Sequence, residues 1–278
     1  MKKRHVIGPR LLAWLLLFVT ASASADMLIS PTRAILTMDQ RSTSLVLRNT
    51  SDGSRTYRLA WEDKRVNSAG QYEPVKEGEE WPSAASMIRF SPRQITVGPQ
   101  ENQTVRLNFR PPADIEAGEY RSHLRLEVVA ESSEPASTME MDHPEDDGVK
   151  FQLFMQMSFS IPVIARVGLD RPEVSISGVE VLPAEGDQRM ALGVTLQRRG
   201  GASSFGELVV EMQENANSPV ELIGRRKELY VFHETSERQI RVGLRDQQIP
   251  AGSWIRVAYE GKAEYDGILW DERVFQSK

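Results

Sequence analysis

The sequence predicts an all-β fold of two β-sandwiches, and three observations predict it. Short runs of alternating apolar and polar residues recur along the chain, separated by turn signals such as Asp52-Gly53, Gly98-Pro99 and Ala251-Gly252. No long stretch has the helical period. The chain also exceeds one small sandwich: removing a 25-residue leader from 278 leaves 253 residues.

The leader comes first. Met1 to Ala25 has a basic start (Lys2, Lys3, Arg4, Arg10), an apolar run from Leu11 to Thr20, and the small residues Ala23-Ser24-Ala25. This is the pattern of a secretory signal peptide cleaved after Ala25. The run is short for a bilayer span, and no later run is long enough to span, so no membrane insertion is expected after cleavage.

Strands are expected next at 42–48, 56–62, 104–109 and 120–129, and after them at 189–197, 206–212, 229–233, 239–244 and 254–259. Gly168 and Pro172 break the pattern, and new strands begin at Glu173. The predicted organisation is a leader at 1–25, a first sandwich at 26–167 and a second at 168–278. So short a connection predicts a fairly fixed angle between the two.

Residues 131–148 differ in composition. They carry seven acidic residues, no basic one, two prolines and several serines. Such a stretch buries little apolar surface and is predicted to be a mobile surface loop. It leads directly into 150–166, KFQLFMQMSFSIPVIAR. Apolar residues there fall on every odd position from Phe151 to Ile161 (Phe151, Leu153, Met155, Met157, Phe159, Ile161), with Phe154 the one exception among the even ones. A β-strand puts all six on one face. A long uncharged strand is hazardous at an open sheet edge. Either it is buried in this chain's own core, or it is kept for a strand of another protein.

Composition excludes several functions. Removing the leader's four basic residues takes the formal charge from −5 to −9, which disfavours nucleic acid and anionic membranes as partners. The chain has no Cys, which excludes a thiol nucleophile and thiolate zinc sites. His5, His123, His143 and His233 fall in no nucleophile or metal pattern, and His123 reads as a solvent-facing strand residue. No Gly-rich phosphate loop is present, so no enzyme activity, catalytic residue, metal or cofactor is expected.

Four segments in order carry a resemblance: ISPTRAIL at 29–36, FSPRQITVGPQENQTVRLNF at 90–109, GEYRSHLRL at 118–126 and FSIPVIAR at 159–166. Behind a signal peptide, they resemble the periplasmic pilus chaperones of the chaperone–usher pathway, the PapD-like proteins. The resemblance implies two immunoglobulin-like sandwiches in an L-shaped arrangement. It implies a periplasmic chaperone without ATP or cofactor that completes pilus or fimbrial subunits with its own strand and delivers them to an outer-membrane usher. Phe151, Leu153, Met155, Met157 and Phe159 would be the donated side chains. Met at two of them suits a groove that accepts more than one subunit. The family grips the subunit's terminal carboxylate with an Arg on its first strand, matched by Arg33, and a Lys on its last. That Lys is missing here: its place holds Ser160, and no Lys lies between Phe151 and Arg166. Arg166 either supplies the second charge or is an interdomain ion-pair residue. The long acidic loop resembles the long-loop branch of the family, which commonly carries a disulfide near it; this chain cannot form one.

Two further readings have some support. Met139, Met141 and His143 are spaced two apart, with Met155 and Met157 following, and thioether and imidazole ligands suit Cu(I) in a periplasmic copper-binding protein. The hard carboxylates around them argue against it. A fibre subunit would be a single incomplete sandwich, often with a Cys pair; two domains and no Cys argue against that.

Overall fold

The structure is a computed structural model, and it describes residues 27–129, 158–184, 189–245 and 248–277. The leader, the acidic loop and Phe151, Leu153, Met155 and Met157 lie outside the described residues, as do Met139, Met141 and His143.

Eleven strands precede residue 168: β1 (Met27–Ser30), β2 (Ala34–Thr37), β3 (Ser42–Asn49), β4 (Arg55–Glu62), β5 (Lys64–Val66), β6 (Tyr72–Pro74), β7 (Ile88–Ser91), β8 (Gln94–Val97), β9 (Asn102–Phe109), β10 (Gly118–Val128) and β11 (Ser158–Val167). One sheet runs β1-β3-β9-β7 and the other β2-β11-β10-β4-β8, with β5 and β6 a separate hairpin. In chain order this is the immunoglobulin arrangement, with the first strand shared between sheets by the break from β1 to β2. Leu45, Leu47, Val105 and Leu107 of one sheet meet Leu124, Leu126, Ile161 and Val163 of the other in one core. Asn49 closes the β3–β4 turn. Its Nδ2 donates to Gly53 O at 2.7 Å and Val97 O at 3.0 Å, while its Oδ1 accepts from the Ser51 N–H.

Seven strands follow: β12 (Glu173–Leu182), β13 (Ala191–Arg199), β14 (Ser204–Gln213), β15 (Glu221–Val231), β16 (Glu237–Gly243), β17 (Trp254–Gly261) and β18 (Leu269–Gln276), with a single 3-10 turn at Ala263–Tyr265. Sheets β12-β13-β16 and β15-β14-β17-β18 enclose a second core around Leu192, Leu196, Leu208, Val210, Val257 and Tyr259. The fold is therefore all-β with two immunoglobulin-like sandwiches.

Several strands are longer than their alternation suggests. The strand expected at 229–233 begins at Glu221, because β14 and β15 slip register at Gly206/Leu208 and Val210/Glu211. Each slip flips the side chains to the other face and erases the period of two. β18 is a sheet edge with mostly exposed side chains, so it has no alternation to read. Gly252, in an expected turn, has φ 83°, a conformation that glycine adopts without steric cost.

The two sandwiches meet along the outer face of β10 and β11. On β10 the even residues Leu124 and Leu126 enter the core, while Glu119, Arg121 and His123 point outward and are nevertheless buried. Ile164 of β11, Val66 of β5 and Phe232 after β15 form a small apolar cluster at this junction, with Ile35 and Tyr230 beside it.

Candidate functional site

β10 and β11 pair antiparallel from Gly118↔Val167 to Glu127↔Ser158. On its other side, β11 pairs parallel with β2 only over Val163–Arg166. Among the described residues, Ser158–Pro162 therefore have a strand neighbour on one side alone. Pro162, which cannot donate a ladder hydrogen bond, stands where that open edge ends. The strand keeps its alternation: Ile161, Val163 and Ala165 face the core, while Ser158 and Ser160 are exposed. Phe159 is half-buried on the core side, with Tyr57 edge-on to it at 6.2 Å.

Arg33 immediately precedes β2, so it stands where the open edge meets β2. Its guanidinium lies 3.4 Å over the Phe205 ring and is ion-paired with Glu264. Arg33 is only 8% exposed. Arg166 donates from Nε to Glu119 at 2.8 Å, from Nη2 to Ser203 O at 3.2 Å, and from Nη1 to Glu264 at 3.4 Å. Glu264 thus bridges Arg33 and Arg166, the two arginines singled out in the sequence. Of the two roles open to Arg166, this geometry shows the interdomain ion pair.

A lysine does reach β11, though not from β11 itself. Lys64 of β5 donates to the Ser160 hydroxyl at 3.1 Å, and Ser160 donates to Glu62 at 2.7 Å. Lys64 is held by its own backbone, whose carbonyl accepts from Arg121 Nη2 at 3.0 Å.

Behind this edge lies a buried polar cluster. Glu119 has no side-chain exposure, and accepts from the Ser203 N–H at 2.9 Å, from the Ser203 hydroxyl and from Arg166; His233 Nδ1 lies 3.3 Å away. Burial alone would raise its pKa; the contacts with His233, Arg166 and Ser203 outweigh it and bring the carboxyl down to about 2. Arg121, fully buried, forks onto Glu234 and lies 3.7 Å over the Phe232 ring; Glu234 also accepts from the Val66 N–H at 3.0 Å. Arg198 donates to the carbonyls of Phe232, Thr235, Ala202 and His233, tying together the loops that carry Ser203 and Glu234. Ser203, His233 and Glu119 do not form a nucleophilic triad. The serine hydroxyl donates to the carboxylate and accepts from the His233 backbone N–H, not from its ring.

His123 corrects an expectation. It is 2% exposed, not solvent-facing, and sits edge-on to Tyr72 with ring centroids 5.3 Å apart. The β5–β6 hairpin folds over this face of β10, which the alternation of β10 cannot reveal. Burial, then Arg121 and Lys64, push its pKa down to about 3, and neither ring nitrogen has a partner. A folded pKa below the unfolded 6.5 means that the unfolded chain takes up the proton first. Stability is then full above about pH 6.5 and falls as the pH drops toward 3. His123→Phe keeps the ring contact and removes the titration. Its denaturation midpoint should vary less than the wild type's between pH 6.5 and 5, and an unchanged slope would refute the assignment.

No protein-family model matches the sequence, and no curated protein matches it. Among solved structures, the chain is similar to the Pseudomonas aeruginosa CupB2 chaperone at 11% identity and a TM-score of 0.44, over 90% of this chain and 98% of that one. The Salmonella enterica SafA pilin in complex with the SafB chaperone gives 9% identity and 0.44, over 92% and 98%. The CsuC–CsuE chaperone–tip adhesion subunit pre-assembly complex of Acinetobacter baumannii gives 14% and 0.42, over 91% and 98%. Each is a chaperone or contains one.

The residues that alternation alone misses are Glu119, Arg121, Lys64, Glu234 and Glu264. On β10, the alternation does not mark Glu119 and Arg121 as buried, because Ser203 and His233 cover Glu119, and Glu234 and Phe232, with Trp81, cover Arg121. Among the described residues, no group of three His, Cys, Asp or Glu could hold a metal ion, and no helix is long and apolar enough to cross a membrane.

Proposed function

We propose that the chain is a periplasmic chaperone, exported by residues 1–25, that captures pilus or fimbrial subunits by donor-strand complementation and passes them to an outer-membrane usher. The observation that carries this reading is the open edge of β11 at Ser158–Pro162. An edge with unpaired N–H and C=O groups accepts a partner strand, and main-chain hydrogen bonds supply affinity. Side chains supply the rest. Phe151, Leu153, Met155 and Met157 share the odd parity of Phe159, Ile161 and Val163. Five such side chains entering a subunit groove would contribute roughly 8–15 kcal/mol gross, and ordering and association would offset much of it.

Polarity follows from β2. A partner strand laid parallel to β11 lies in line with β2, and its carboxyl end runs into the start of β2, where Arg33 stands. A guanidinium grips a terminal carboxylate with two parallel hydrogen bonds. Co-purification of the tagged chaperone with the subunits encoded beside it tests this. Arg33→Ala should weaken capture by about 1.5–3 kcal/mol, the range for a hydrogen bond to a charged group. Undiminished capture would remove Arg33 from the site.

A further inference from the structure

Arg33 is not free in this protein, and its occupant has the chemistry of the ligand proposed for it. We propose that Glu264 is an internal stand-in for the partner's terminal carboxylate. It keeps Arg33 aimed in the free protein, and is displaced when a strand-end carboxylate arrives. This rests on the strand-edge reading above and adds a residue of the second sandwich to the binding site.

Four observations support it. First, position: Glu264 contacts Arg33 where the open edge of β11 meets β2. Second, attachment: Glu264 bonds Arg33 through Oε2 and Arg166 through Oε1, and it is 25% exposed, whereas Glu119 is locked at 0% by Ser203 and Arg166. Of the two carboxylates around Arg166, only Glu264 is placed to leave. Third, charge: Arg166 gives up its 3.4 Å contact with Glu264 but retains Glu119, and on Arg33 one carboxylate replaces another without altering the charge of the cluster. Fourth, the mount: Glu264 sits on one 3-10 turn entered through Ala263 at φ 54°, a left-handed conformation that strains a residue with a Cβ. Gly261 precedes the turn, where a Cβ would lie 2.2 Å from the Tyr265 carbonyl oxygen. Left-handed residues of this kind persist only where their surroundings hold them, and they cluster at ligand clamps.

The consequence is selectivity for a chain end. A terminal carboxylate can take over from Glu264; an internal peptide group or an amidated end brings no charge with which to do so.

The test uses the mature protein and a short acetylated peptide of alternating Thr and Val, made once with a free C-terminal carboxylate and once as the amide. Binding is followed by the NMR signal of the Arg33 Nε–H, with the backbone amide spectrum reporting that the fold is intact. Glu264→Gln should bind the acid peptide about tenfold more tightly than wild type, a change of about 1.4 kcal/mol, and bind the amide equally. Equal or weaker acid binding by Glu264→Gln, with the amide peptide still bound, would overturn the stand-in and leave the strand edge in place. Failure of both peptides to bind either protein would overturn the strand edge and the stand-in together. Glu264→Asp, which shortens the reach to Arg33, should lie between wild type and Glu264→Gln; tightening absent from both variants would contradict the proposal.

Discussion

Leu153→Asp combined with Met155→Asp is expected to abolish subunit capture while leaving the unfolding midpoint of the free protein within a degree or two of wild type. The two substitutions place carboxylates where apolar side chains are proposed to enter a subunit's groove. Burying an unpaired carboxylate costs several kcal/mol, and two would consume most of the roughly 8–15 kcal/mol gross gain of the donated strand. The free protein should tolerate them, because among the described residues Ile161, Val163 and Ala165 fill the core of the first sandwich from β11. Co-purified subunit yield and thermal unfolding are the two readouts. Normal yield would sink the donor-strand assignment. A large fall in midpoint would show that residues 151–157 serve this chain's own core.

Glu119→Ala should have the largest effect on the protein itself. Glu119 is the fully buried carboxylate that Arg166 and Ser203 of the two sandwiches share. Removing it leaves Arg166 with the more exposed Glu264 and the Ser203 N–H without its acceptor. Breaking a buried pair from one side costs about 3–5 kcal/mol. The pH dependence carries the same signature. Because its folded pKa of about 2 lies below the ordinary 4.5, Glu119 stabilises fully above about pH 4.5 and loses that contribution as the pH falls toward 2. A shift of that size corresponds to about 3 kcal/mol. Denaturant unfolding at pH 7 and pH 3, followed by tryptophan fluorescence (the Trp81 ring lies 5.9 Å from that of His233), should show wild type losing more stability at the lower pH than Glu119→Ala, with the His123 contribution common to both. A variant as stable as wild type at pH 7 would mean that the interface is held elsewhere.

The fold was legible wherever one face of a strand is solvated and the ladder is regular. STSLVLR at 42–48 and TVRLNF at 104–109 alternate cleanly, and Leu45, Leu47, Val105 and Leu107 are buried as their parity requires. Where bulges shift the register, as across β14 and β15, the period disappears and the strand start moves by eight residues, from Leu229 to Glu221. The candidate site was legible only in part. Arg33 and Arg166 could be singled out, and the structure brings both to one carboxylate. That carboxylate could not be foreseen, since Glu264 lies 231 positions from Arg33 on a turn with no periodic signal. His123 looked solvated because alternation describes a sheet's two faces and says nothing about the β5–β6 hairpin that folds over the outer one. The missing lysine of β11 has the same character: Lys64 reaches Ser160 through space from a hairpin that no local pattern connects to it.

Ser158–Pro162 are proposed to form a strand edge that pairs with a partner. Amide hydrogen exchange of β11 tests this, in the free protein and in its purified stoichiometric complex with a subunit. The amides between Ser158 and Ile161 that do not bond to β10 should exchange quickly in the free protein and become protected in the complex, while those of Val163–Arg166, already paired with β2, should change little. Protection confined to other surfaces, with the Ser158–Ile161 amides exchanging as before, would contradict strand pairing at this edge.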